Sequence, residues 1–60
     1  MNNVVKVKYN DMMYVISMYQ VQYISTGKDL CIIHFTGGSE LTLRKKYMSK
    51  EDWSLVTGEA

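Results

Sequence analysis

Sixty residues, of which 47% are hydrophobic and 22% charged, with a net charge of +1, exclude several classes of protein at once. A chain this short forms one domain spanning residues 1–60, buries only about 60% of its unfolded surface, and gains from a disulfide, a metal or a partner subunit. The sole cysteine, Cys31, cannot close an internal disulfide, and with the sole histidine, His34, it cannot complete a structural zinc site.

No metal or cofactor is therefore expected, and a homodimer is the expected answer to the small core. The apolar fraction and the absence of proline argue against disorder. No stretch approaches the ~20 apolar residues that span a bilayer. The start of the chain also lacks the basic residues and long apolar run of a signal peptide. A cytoplasmic protein without membrane contact, its lone cysteine reduced, is the expectation. The near-neutral charge is low for a dedicated nucleic-acid binder.

In chain order, apolar and polar residues mostly alternate with a period of two. Val5, Val7 and Tyr9 alternate with Lys6 and Lys8, so one face of a first strand enters a core and the lysines stay in water. Asn10 and Asp11 mark a turn, and residues 12–16 return as a second strand. Residues 19–23 alternate cleanly, which predicts a third strand with Tyr19, Val21 and Tyr23 on one side and Gln20 and Gln22 on the other.

Residues 25–29 form the clearest turn. Residues 30–35 are nearly all apolar, which predicts a central strand covered on both faces. Gly37 and Gly38 suit the positive φ angles of a primed hairpin turn, and residues 40–44 form the outgoing strand. A short C-terminal helix follows, with Ser49 as N-cap and Asp52 as the acidic half of a capping box. Met48 and Trp53 form a hydrophobic staple across its start, and Thr57 and Gly58 end it. The fold class is mainly β: a small antiparallel β-meander of about five strands with one short C-terminal α-helix.

No catalytic constellation emerges from this pattern. His34 lies three residues from Cys31, so the two side chains leave opposite faces of one strand and cannot form a dyad. Asp11, Asp29 and Glu40 are turn residues, while Glu51 and Asp52 serve the helix start. Gly37 and Gly38 precede no helix that could cradle a phosphate. An enzyme is not expected.

Binding chemistry is better represented. Arg44, Lys45 and Lys46 are the densest basic run and fall where the last strand leaves the sheet; Lys28 stands at a turn tip. Together they can form a local positive patch for phosphates. The uncharged face of Gln20 and Gln22, with exposed Tyr19 beside it, suits a protein interface.

The middle of the chain resembles the LytTR-type DNA-binding domain of bacterial response regulators. The likeness is carried by Val21-Gln22-Tyr23-Ile24-Ser25, Gly27-Lys28, Ile33-His34-Phe35, Gly38, Leu43-Arg44 and Met48-Ser49. It covers roughly 30 to 40 of the 60 residues, with Ser25 where the family carries an acidic residue. The resemblance implies a β-rich fold that reads DNA through loops between strands. The same strand and turn pattern is similar to small FlbD-type proteins of flagellar operons and to short phage-encoded proteins.

Two readings of function follow. The first is a non-enzymatic accessory or regulatory module, of the kind phages and mobile elements encode, that binds a host protein as an inhibitor. The second is a nucleic-acid-binding regulator of LytTR-like type that uses the basic cluster at residues 44–46. The first needs fewer special residues.

Overall fold

The computed structural model describes residues 3–58. Strands β1 (Val4–Tyr9) and β2 (Met12–Ser17) form an antiparallel hairpin. Its turn leaves only Asn10 and Asp11 between the paired Tyr9 and Met12, and both turn residues take positive φ, 50° and 66°. A type I′ turn asks for that conformation, and Asn and Asp tolerate it better than other side chains. Here they replace the usual glycine.

A short 3-10 turn, Met18–Gln20, then redirects the chain. Strands β3 (Val21–Thr26), β4 (Leu30–Phe35) and β5 (Glu40–Arg44) follow as a second antiparallel sheet with β4 in the middle. A second 3-10 turn, Lys45–Tyr47, leads into helix α1 (Lys50–Thr57). The five antiparallel strands and the C-terminal helix are those the alternation implies. The meander is divided, however: β2 and β3 do not pair, and the strands lie in two sheets.

The two inner faces and the helix share one core. Val7, Ile16, Cys31, Ile33, Leu43 and Trp53 are buried in it, with Val5, Tyr9, Tyr14, Ile24 and Met48 packed around them. Trp53, only 3% exposed, brings the helix to both sheets. Ser49 caps the helix as expected, its Oγ accepting from the Asp52 backbone N–H at 3.1 Å. The reciprocal half of the capping box does not form. The Asp52 carboxylate instead accepts the Lys8 backbone N–H at 3.0 Å, tying the helix start to β1.

Four other expectations are corrected. Residues 19 and 20 belong to the 3-10 turn, so β3 starts at Val21; a bulge at Gln22 shifts its register between Val21 and Tyr23. An extra residue in one strand reverses which side chains face inward, so Val21 and Ile24 pack on the core while Tyr23 points out. Ser25 and Thr26 are strand, paired with Ile32 and Cys31, and the turn narrows to residues 27–29.

In the β4–β5 connection only Gly38 has positive φ, 93°, and its N–H closes the turn on the Phe35 carbonyl at 2.9 Å. That connection is not a primed turn, because residues 36–39 give the chain room for an ordinary one. Finally, β4 is central but buried on one face only: Cys31 and Ile33 are buried, whereas Leu30, Ile32 and His34 are half-buried beneath neighbouring side chains.

Candidate functional site: two outer sheet faces and a basic end

The outward face of β3–β4–β5 carries a line of polar contacts centred on His34. Glu40 sits directly across from it in the β4–β5 register, its carboxylate 3.3 Å from the His34 Nδ1. On the other side Ser25 Oγ lies 3.1 Å from Nε2. The ring of Tyr23, the cross-strand neighbour on β3, stacks on the imidazole with centroids 4.1 Å apart and planes at 16°. With Glu40 accepting from Nδ1–H, Nε2 becomes the acceptor and Ser25 the donor.

The connectivity is that of a serine–histidine–acid triad, and reading the sequence alone did not find it. The His34–Glu40 half was legible once the hairpin turn was placed. Ser25 was hidden because it looked like a turn residue. The line lies on an open sheet face with Glu40 58% exposed, and the main surface depressions are lined by other residues. A nucleophile needs a site beside it for the substrate carbonyl and its oxyanion. Here the bonds close the face on itself.

The outward face of the β1–β2 hairpin is different. The register sets Lys6 beside Val15 and Lys8 beside Met13, with Val4 opposite Ser17 at the far end. Met13 is 62% exposed, Val15 60% and Val4 41%. Met12, at the turn, is exposed as well. Lys6 and Lys8 have no carboxylate within ion-pair distance among the described residues. This is an exposed apolar strip flanked by cations, and no described element covers it.

The basic residues meet at a third place. The Lys45 N–H donates to the Asp29 carbonyl at 2.8 Å, which brings the β3–β4 turn, and Lys28 with it, to the end of β5. Arg44, Lys45 and Lys46 line one open depression of about 380 Å³ together with Asp29. The Lys45 ammonium lies 5.6 Å from the Trp53 ring centroid and that of Lys46 5.1 Å from the Tyr47 ring. Each is a cation–π contact worth about 0.5–1 kcal/mol at an exposed site.

The tyrosine and glutamine residues do not assemble into one face. Tyr19 is exposed on the 3-10 turn. Gln20 accepts from the Thr36 hydroxyl at 3.3 Å, and Gln22 is the bulge residue. Among the described residues no cluster of three or more His, Cys, Asp or Glu side chains could hold a metal, and no helix is long and apolar enough to cross a membrane. Burial pushes the Cys31 thiol above its ordinary pKa, so it stays protonated and unreactive at neutral pH.

No family model, curated protein or solved structure matches the chain.

Proposed function

We propose that this chain is a non-enzymatic module that binds another protein through the outward face of β1–β2, acting as an accessory or inhibitor by covering part of that partner. The observation that carries the reading is the exposed strip of Val4, Met13 and Val15 with Lys6 and Lys8 alongside. Apolar side chains on a rigid sheet lose little further freedom when covered, and each square ångström removed from water contributes about 25 cal/mol. The flanking lysines select a partner whose apolar contact is bordered by carboxylates, and their charge speeds its approach.

A capture experiment with tagged protein and bacterial lysate tests this. Capture should survive nuclease, survive replacement of Arg44, Lys45 and Lys46 by Ala, and be lost on the double change Val4→Glu, Met13→Glu. Retention of every partner by that double variant, with its fold intact by circular dichroism, would reject the reading.

A second reading has its own observation. Arg44, Lys45 and Lys46 share one depression, and among the described residues none of the three is within ion-pair distance of a carboxylate. Three phosphate contacts there would give a log–log salt slope of roughly −3 for duplex DNA. They would confer little sequence preference, since phosphate contacts position rather than specify. Titration of labelled duplex at two salt concentrations separates the readings: no binding at low salt removes this one.

A further inference from the structure

Each strand edge in a small sheet presents unpaired N–H and C=O groups that can recruit another strand, and proteins commonly block such edges. Three of the four edges here are closed at one end or irregular. On β1 the outward Lys8 N–H is held by the Asp52 carboxylate and the Asn10 N–H by the Tyr47 carbonyl at 3.4 Å. On β5 the outward Arg44 N–H donates to the Tyr9 hydroxyl at 3.1 Å. β3 carries the bulge at Gln22, which bends the edge away from a regular ladder.

Among the described residues β2 has none of these devices. The Lys8 N–H points away from the hairpin, so Lys8 and Met13 are a non-hydrogen-bonded pair. Such pairs alternate along an antiparallel ladder, which makes Val15 and Ser17 the next residues on β2 to turn their backbone groups outward. No side chain in β2 is charged. A depression of about 420 Å³ runs between Tyr14, Val15, Ile16 and Ser17 on one side and Gln20 with the β4–β5 hairpin, from Phe35 through its turn to Leu41, on the other. Successive side chains of a strand face opposite ways, so four consecutive residues line one depression only where it runs along the strand's edge. Among the described residues no backbone group pairs with the outer edge of β2.

We propose that β2 pairs antiparallel with β2 of a second copy of this chain, about a two-fold axis at Val15. The sequence around Val15 is self-complementary in that register. Val15 meets the partner copy's equivalent valine, Met13 lies opposite Ser17, and the inward-facing Tyr14 and Ile16, already packed in each copy's own core, lie opposite each other beneath the seam. Because Val15 turns its N–H and C=O outward, the residues on the axis exchange both backbone hydrogen bonds. This is the isologous contact a two-fold dimer requires.

The lysines do not oppose it. Lys6 and Lys8 lie on β1, so equivalent lysines are separated by three strand spacings, about 14 Å, which exceeds the Debye length of about 8 Å at physiological salt. The four-stranded sheet that results joins two copies of the Val4, Met13 and Val15 strip into one outward face. The pairing stands on the edge geometry and does not depend on the protein-binding reading.

Sedimentation equilibrium tests it on the full chain. The wild type should approach twice the chain mass of 7.0 kDa as concentration rises. Val15 is exposed, so Val15→Lys should leave the monomer folded. It sets two ammonium groups against each other across the axis and should weaken dimerisation roughly tenfold or more. Val15→Glu should do the same. Mixing the Lys and Glu variants should restore the dimer, because opposite charges then face each other at the axis. Tyr23→Lys, on the other sheet, should leave the mass unchanged. A wild type that stays at 7.0 kDa up to its solubility limit would overturn the proposal. So would a dimer insensitive to Val15→Lys, or a mixture that fails to re-form.

Discussion

The outward faces of the two sheets are built from the same pleated geometry and end in opposite states. On β3–β4–β5, His34 is bonded on both ring nitrogens and stacked on Tyr23, so its polar groups are satisfied within the chain. On β1–β2, Val4, Met13 and Val15 stay in water beside lysines without ion-pair partners among the described residues. A face that satisfies its own groups gains little from a partner. A face with unburied apolar area, next to an edge with unpaired backbone, gains from any partner that covers it. In this small domain unburied apolar area and, among the described residues, unpaired cations coincide on β1–β2, where internal contacts stop.

The largest way to disturb both faces is from beneath. Trp53 lies in the core shared by the two sheets, so Trp53→Ala should cost about 3 kcal/mol or more in a denaturant melt. Loss of the Ser49 cap in Ser49→Ala should cost about 1 kcal/mol. Equal, negligible effects of the two would contradict the docking of helix α1.

The faces themselves separate at the next level. His34→Ala removes a stacked ring and two side-chain contacts and should destabilise by about 1 kcal/mol. Met13→Ser, on the other face, should change monomer stability by no more than about 0.5 kcal/mol while reducing partner capture. A large stability loss for Met13→Ser would mean that its side chain is held within the fold.

The smallest effect is expected from Cys31. Its pKa is raised by burial from the ordinary 9.0, so the unfolded chain loses the thiol proton before the folded chain does. The contribution to stability is constant below that pH and is lost as pH climbs through 9.0 towards the folded value. Melts of wild type and Cys31→Ala should run parallel below pH 9.0 and converge above it. Parallel curves throughout would contradict a buried, protonated thiol.

Most of the architecture was legible from alternation and turn chemistry. Val5, Val7 and Tyr9 faced inward as their spacing implied, Asn10 and Asp11 made the turn, and Ser49 capped the helix. What was not legible came from backbone events with weak side-chain signatures. The bulge at Gln22 leaves the pattern of residues 19–23 intact as a string yet reverses which side faces inward. The 3-10 turn at Met18–Gln20 divides the sheets without a glycine or proline to mark it. The turn that carries Lys28 lies beside the end of β5, where the Lys45 N–H meets the Asp29 carbonyl, but Lys28 does not line the depression formed by Arg44, Lys45 and Lys46. The exposed strip was missed because residues 12–16 are an apolar run without alternation, and which face of that strand lies outward depends on how the two sheets stack.

The most direct measurement is site-specific photo-crosslinking in bacterial lysate, with the same photoreactive side chain placed at Met13 on one face or at Tyr23 on the other. The probe at position 13 should give discrete adducts heavier than a self-crosslinked pair of 7.0 kDa chains, and the probe at position 23 should give none. Equal labelling from both positions, or adducts from position 23 alone, would contradict the assignment of binding to the β1–β2 face.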